Sequence, residues 1–448
     1  MLTQSVVNEI DIVFFAQLPC PESSNAQAAL LPSLIILWLF GGSLSAISVG
    51  TQAFTGRRFA ETRHEDAGAV LANAAFFATA LGIVFTVLGY LAVPSLLGAI
   101  IRVPGPRLAA EAYLDWRLLG ITSMAVTFAF KAFFDGIGKT HVHLVSAVVM
   151  NALNIVLCLL LIFGNHTLGI PRMGIAGAGM AGFISTWVGL AIMVAYALLP
   201  AYRRPYRPFV WRKLSWSLTG PILRLSIPSA VATIAVMTGF ALFAAIAGKL
   251  DELHPAGAIS ALCPGGQAEP VNGAATTVIV GILKLTFTAC LAFGTSTATL
   301  VSQSLGEKDP AKAATFGWTS VKLGLLIFGM VGLAEAVFAP EVLGFVTHSD
   351  LVQRAALTPM RVMGLCTPFI AVGMILTQAL FGAGNTRFVM VAELILHFTC
   401  LVPLAWVLGV TLDHGLMGVW AAGAAYVVLL AAVMTWKFRK GDWKKIRL

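Results

Sequence analysis

Two amides and a thiol, Asn151, Asn154 and Cys158, fall three and four residues apart inside a long apolar run within positions 133–165. That spacing stacks them on one face of a helix. Amides in hydrocarbon are costly unless they face protein or water, so this face reads as the wall of a polar cavity. Asp11 sits in another apolar run, too deep for a short side chain to snorkel to the surface. A carboxylate there can exchange a proton or give a hard oxygen ligand to Na⁺, and the Asn154 carbonyl can give a second. Lys284, about ten residues into its run, reads as a cavity-lining cation. Glu393 and His397 lie four apart and can meet on one helix face, where an imidazole beside a carboxylate can carry a proton or touch a substrate.

Other charges have plainer readings. Lys131, Asp135 and Lys139 form a ladder at a helix end and can snorkel to the interface. Lys322 reads as one half of a structural ion pair and Glu335 as interfacial. Asp413-His414 fits a tight turn that caps its neighbours.

These residues need apolar helices to position them, and the composition supplies them. Of the 448 residues, 58% are hydrophobic and 11% charged, against about 25% charged in a soluble globular domain. Short alternating segments of a β-barrel are absent. The reading is an all-α integral membrane protein of twelve transmembrane helices. Segment one, 5–18, covers about 20 Å, short of a bilayer core of about 30 Å, so the first helix reads as truncated. The others are about 28–55, 67–97, 113–134, 143–164, 174–199, 221–250, 274–303, 313–339, 358–380, 388–410 and 416–438. The entry to segment six, Gly174-Ile-Ala-Gly-Ala-Gly-Met-Ala-Gly182, suits close helix packing in lipid.

The net charge of +9 does not point to nucleic acid, because the charges sit in short links and a basic tail. Links after the even-numbered segments, with the tail, hold 18 Lys and Arg. The opposite links hold six: Arg102, Arg107, Arg172, Lys249, Arg354 and Arg361. That bias places both termini in the cytoplasm. The tail reads as a lipid-headgroup contact.

The chain also repeats itself. Gly136-Ile-Gly-Lys-Thr140 recurs as Gly382-Ala-Gly-Asn-Thr386, each leading into an apolar helix. Gln52 pairs with Gln303, and Gly174, Gly177 and Gly182 pair with Gly415, Gly418 and Gly423. Two six-helix lobes follow: an N-lobe over 1–200, a basic cytoplasmic linker over 201–220, a C-lobe over 221–438 and a basic tail over 439–448. Six helices per lobe insert both the same way up, with sites expected near mid-membrane.

Of six cysteines, Cys158, Cys290, Cys366 and Cys400 lie in spans and read as small apolar residues. Cys20-Pro21 and Cys263-Pro264 occupy repeat-related outer loops, where an oxidising compartment permits a disulfide. Such a bond would hinder outward opening, which favours two free thiols. No His/Cys spacing suggests a metal site.

The ordered set Asn8-Glu-Ile-Asp11, Gly50-Thr-Gln52, Asp135-Gly-Ile-Gly-Lys-Thr140, the helix Asn154 to Gly164, Val301-Ser-Gln-Ser-Leu-Gly-Glu-Lys-Asp309 and Gly382 to Thr386 resembles the multidrug and toxic compound extrusion (MATE) family of antiporters. The resemblance implies an ion-coupling site at Asp11 and Asn154; Asn151, Cys158, Lys284, Glu393 and His397 are the substrate-cavity residues read above from spacing and depth. The family's fifth-helix acid falls on Cys158, and its C-lobe acids fall near Val236 and Ile370. The implied activity is export of amphipathic, cationic organic compounds in exchange for H⁺ or Na⁺, with no cofactor. The alternative is a flippase of related fold for lipid-linked or anionic substrates, which Lys284 and Lys322 would suit. An intramembrane enzyme finds no nucleophile–base motif here. The expected setting is the bacterial inner membrane, as a monomer in contact with lipid and small-molecule substrate and with no nucleic acid.

Overall fold

The structure, a computed structural model, describes residues 14–15, 17–19, 22–101, 104–165, 169–209, 214–253, 271–347 and 349–446. Among them, nine continuous helices are long and apolar enough to cross a bilayer, and two further spans are bent pairs. These eleven correspond in order to segments two to twelve. Segment one lies almost wholly outside the described residues, as do Glu9, Asp11, Cys20 and Cys263.

The helices are α1 (Glu22–Phe40), α2 (Ile47–Ala60), α3 (His64–Ile100), α4 (Pro104–Leu119), α5 (Ile121–Gly136), α6 (His141–Phe163) and α7 (Ile175–Leu198). A short α8 (Pro200–Tyr206) precedes α9 (Trp216–Leu253), α10 (Val271–Gly306), α11 (Pro310–Val337), α12 (Ala339–Val346) and α13 (Asp350–Gly382). The eleventh span is α14 (Thr386–Ile395), a π-turn (Leu396–Leu401), α15 (Val402–Trp406) and a second π-turn (Val407–Thr411), and α16 (Gly415–Lys440) closes the order.

The chain forms two compact units: Met1–Ala230 with Ser302–Asp309, and Val231–Val301 with Pro310–Arg447. In the first unit α6 packs on α7, α5 on α2 and α3, and α4 on α1 and α7. In the second, α13 is the central helix, flanked by α11 and α16. Packing, not water exclusion, holds such helices together in lipid, so small residues mark the close approaches. A Cβ on Gly177 would lie 2.6 Å from the Leu161 carbonyl on α6, and one on Gly179 would lie 2.4 Å from the Tyr113 carbonyl on α4. The glycine stripe thus seats α7 against two neighbours at once. The linker is tied down as well. Asn73 on α3 accepts from the Ser215 amide at 2.9 Å and the Thr219 hydroxyl at 3.0 Å. Tyr202 and Tyr206 of α8 pack edge-on against Phe134 and Phe133.

The internal repeat appears as a turn used four times. Helix ends at 58–63, 134–139, 304–309 and 380–385 each close with a backbone bond from the sixth residue to the first, at 2.7–3.0 Å. The residue before the last has positive φ in every case: Thr62, Gly138, Lys308 and Gly384. This is the Schellman ending. Positions 62 and 308, and positions 138 and 384, are both 246 apart. Gly136 contacts the Gln52 carbonyl, and Gly382 likewise contacts the Ala298 carbonyl. Repeat equivalence therefore pairs Gln52 with Ala298 and Arg57 with Gln303, not Gln52 with Gln303.

Candidate functional site

A cavity of about 70 Å³ lies within the first unit. From α1 it takes Leu34, Leu37 and Trp38, and from α6 Met150, Asn151 and Asn154. From α4, α5 and the residue between them come Arg117, Gly120, Ile121 and Met124, and from α7 Gly182, Ser185 and Thr186. The two sequence-predicted amides thus share one wall, each only 7% exposed. Their helix ends at Gly164, whose φ of +75° suits glycine, and the following loop bonds back to it, Met173 to the Leu161 carbonyl at 2.9 Å. Cys158 sits one turn further along and donates its thiol to Asn154 Oδ1 at 3.8 Å, so it orients the amide and is not among the lining residues.

Two helix breaks shape the cavity. The pair ending at Gly136 bends by 45° after Leu119, at Gly120. There the backbone shifts to a bond from Gly120 to the Arg117 carbonyl at 3.0 Å. Side-chain hydroxyls donate to carbonyls around the break: Ser123 Oγ to Gly120 at 2.9 Å, Thr86 Oγ1 to Leu118 at 3.2 Å, and Tyr90 to Asp115. Polar groups in hydrocarbon must be satisfied in this way. Gly120 also gives α7 room, since a Cβ would sit 3.2 Å from Thr186 Oγ1. The other pair bends by 40° at Gly41, between α1 and α2.

Arg117 was not singled out in the sequence. It is half-buried, stands one turn before the break, and lies across α7, where a Cβ on Gly182 would be 2.1 Å from its Nη1. Its Nε is buried without a hydrogen-bond partner, as is Asn151 Nδ2. The only sequence signal was a charged residue within the fourth expected span, 113–134; its place beside Gly182 depends on the fold.

In the second unit the Glu393 and His397 side chains do meet, in a cluster centred on α14 and its π-turn. Tyr426 of α16 donates its hydroxyl to Glu393 Oε2 at 3.0 Å. His397 Nδ1 faces the Glu393 carbonyl at 2.9 Å and Oε2 at 3.4 Å. The imidazole is fully buried, packed on the Tyr426 ring at 4.6 Å and against Phe240 at 5.9 Å, and its Nε2 has no partner. Gly239 makes the room, since a Cβ there would lie 2.3 Å from His397 Cδ2. Lys284, on α10, is half-buried. Glu335 is not simply interfacial: it accepts from Thr367 at 3.1 Å and from Thr286, on two different helices. Lys322 points outward, and Lys131 pairs with Asp135 at 2.7 Å, both buried. Among the described residues no group of three or more His, Cys, Asp or Glu could hold a metal ion.

Comparison with known proteins agrees across the length of the chain. The MatE family model matches residues 1–160 and 266–407. A probable multidrug resistance protein NorM of Thermotoga maritima is 26% identical over 423 residues, covering 92% of this chain and 84% of that protein. The outward-facing structure of a multidrug resistance MATE family transporter of the MOP superfamily superposes with a TM-score of 0.84 at 21% identity, over 98% of this chain and 92% of that one. A MOP superfamily transporter of Pyrococcus furiosus, for which reverse polarity of the binding pocket suggests a different function, gives 0.84 at 20% identity, over 99% and 93%.

Proposed function

Since this chain belongs to the MatE family, we propose that it exports amphipathic organic compounds in exchange for H⁺ or Na⁺. The chain is a multi-pass membrane transporter and not an enzyme. The observation that carries the substrate reading is the cavity in the first unit, where Asn151 and Asn154 present amides among apolar side chains. An amphipathic solute needs such a lining: mostly apolar, with a few placed polar groups. Asp11 with Asn154 is the proposed ion-coupling pair, able to serve H⁺ by protonation or Na⁺ by oxygen ligation. Asp11 lies outside the described residues, and its role rests on the sequence pattern. Glu393 and His397 are the second proposed place for proton linkage, and Lys284 a cavity residue of the second unit. Cys158 acts through Asn154.

The charge pattern supports two lobes divided at 201–220 and cytoplasmic termini. Insertion in a bacterial inner membrane is proposed from the likeness to bacterial relatives, with a monomer as the proposed state. The expectation of a cationic substrate gains nothing from the described lining of the cavity, where Arg117 is the one charged side chain. Export must rest on different affinities of the inward- and outward-open states for ion and substrate. Reconstitution in proteoliposomes tests this. Amphipathic dye should move against an imposed pH or Na⁺ gradient, and the gradient that drives it names the ion. Movement unaffected by either gradient would overturn the antiport reading.

A further inference from the structure

Among the described residues, two hydrogen-bond donors in the first unit's cavity have nothing to donate to. Arg117 Nε is buried and unpartnered, and so is Nδ2 of Asn151, a side chain more than nine-tenths buried. They reach the cavity from different helices, α4 and α6. Neither neighbouring hydroxyl receives them: Ser185 donates to the Ala181 carbonyl at 2.6 Å, and Thr186 donates to the Phe183 carbonyl at 2.9 Å and accepts from Ser123 at 3.0 Å. Among the described residues, no Asp or Glu lines the cavity. A buried donor left unmade is costly, and a cationic one more so, which makes such a pair uncommon without a ligand to receive it.

We infer that Arg117 and Asn151 form a recognition site for the carboxylate, or a like anionic group, of an amphipathic solute. The guanidinium is planar, permanently charged and forked, which matches a carboxylate's two oxygens. Asn151 adds a neutral donor. Leu34, Leu37, Trp38 and Met124 supply the apolar wall for the rest of the molecule. Gly182 is the positioning residue, since any side chain there would strike the guanidinium. The inference rests on the export reading above and narrows it: the exported compound carries an anionic group, alone or as one pole of a zwitterion.

The competing source of a carboxylate is the chain's own Asp11, and the test separates the two. Equilibrium dialysis of the purified full chain is run with naphthalene-1-acetate and its neutral isostere naphthalene-1-acetamide. The unmodified protein should bind the acetate at least tenfold more tightly. Arg117→Gln should bring that ratio close to one, Arg117→Lys should keep part of it, and Asn151→Leu should reduce it. If Arg117→Gln does not fold, Gly182→Ala serves, with at least a fivefold loss of the ratio. Equal binding of both probes by the unmodified protein would overturn the site. So would a preference that appears only in Asp11→Asn, which would assign Arg117 to an internal ion pair. Transport in proteoliposomes keeps the two ideas apart. A selective site without gradient-driven movement defeats the antiport reading alone, and gradient-driven movement of dyes without selectivity defeats the site alone.

Discussion

Gln303, at the end of α10, donates its Nε2 to the carbonyl of Gly136, the last residue of α5, at 2.8 Å. The final carbonyls of a helix have no partner within it, so this side chain completes a cap that the Schellman turn leaves open. Its repeat partner, Arg57, is an arginine, so the two halves do not end this turn alike. Gln303→Leu should cost about 1 kcal/mol, the worth of one hydrogen bond, with a further loss if the carbonyl is left dry. Thermal unfolding in detergent reads the loss, and an unchanged midpoint would show that the bond is dispensable.

Close backbone approach makes a sharper expectation. A Cβ on Gly382 would sit 2.3 Å from the Ala298 carbonyl, which cannot rotate away, whereas Gly344 has nothing within 4 Å. Gly382→Ala should destabilise by roughly 1–3 kcal/mol through overpacking. Gly344→Ala should be neutral or slightly stabilising, since alanine is the better helix former. Equal yields of monodisperse protein from the two variants would contradict this.

Asp11→Asn should fold, keep the unmodified protein's thermal midpoint to within about 1 kcal/mol of stability, and lose ion-driven export. The measurement is gradient-driven efflux beside thermal unfolding of the same preparation. Export at the unmodified rate would pass the coupling role to Glu9, the next acid to test.

In the second unit, Glu393→Gln and His397→Ala should each flatten the pH dependence of transport. Tyr426→Phe should do so less, because it removes one hydrogen bond to the carboxylate and keeps the charge. If the profiles of the first two variants overlay the original, the cluster is structural.

Past the last helix, Trp443 is fully buried, stacks on Phe438 at 4.6 Å and donates Nε1 to the Phe438 carbonyl at 2.9 Å. Asp442 beside it is partly exposed, and the hydrogen bond from Lys437, aided by the charges of Lys437 and Lys440, holds its carboxyl below its usual pKa. A lowered carboxyl stabilises the docked tail when ionised, so the contribution is present above about pH 4 and disappears as the pH falls further. Limited proteolysis of the tail should therefore speed up below that pH. Asp442→Asn should remove the pH effect, and Trp443→Ala should leave the tail cleavable at every pH.

Eleven of the twelve expected spans are recognisable in sequence because each is a long apolar run closed by charges. The turns at Gly138 and Gly384 are legible because positive φ falls on glycine. Their counterparts at Thr62 and Lys308 adopt the same backbone without it, so nothing in the residue type announces them. Prolines mislead in the opposite direction. Pro32, Pro94, Pro221, Pro228, Pro359 and Pro368 all lie inside unbroken helices, while the bends come at Gly41 and Gly120. Lipid-embedded helices tolerate proline because neighbours re-satisfy the backbone. The amide pair was visible from spacing alone. Arg117 was not, because its place in the cavity depends on a bend and a glycine on another helix.

The π-turns around His397 and before Leu412 bear on how this membrane span can change over time. Each single-turn π-bulge carries about one residue more than an α-helix needs, and one residue turns the helix by roughly 100°. A cysteine-accessibility scan through 388–410 should therefore lose phase at Leu396 and again at Val407. The surplus residues also act as slack. Deleting one position within 396–401 can be absorbed by tightening the π-turn to an ordinary α-turn, leaving the remainder of the span in register. The same deletion in α13 or α16 would rotate every following side chain away from its neighbours. Length variation among descendants of this chain is thus expected to concentrate in its eleventh span, the one that holds the buried imidazole.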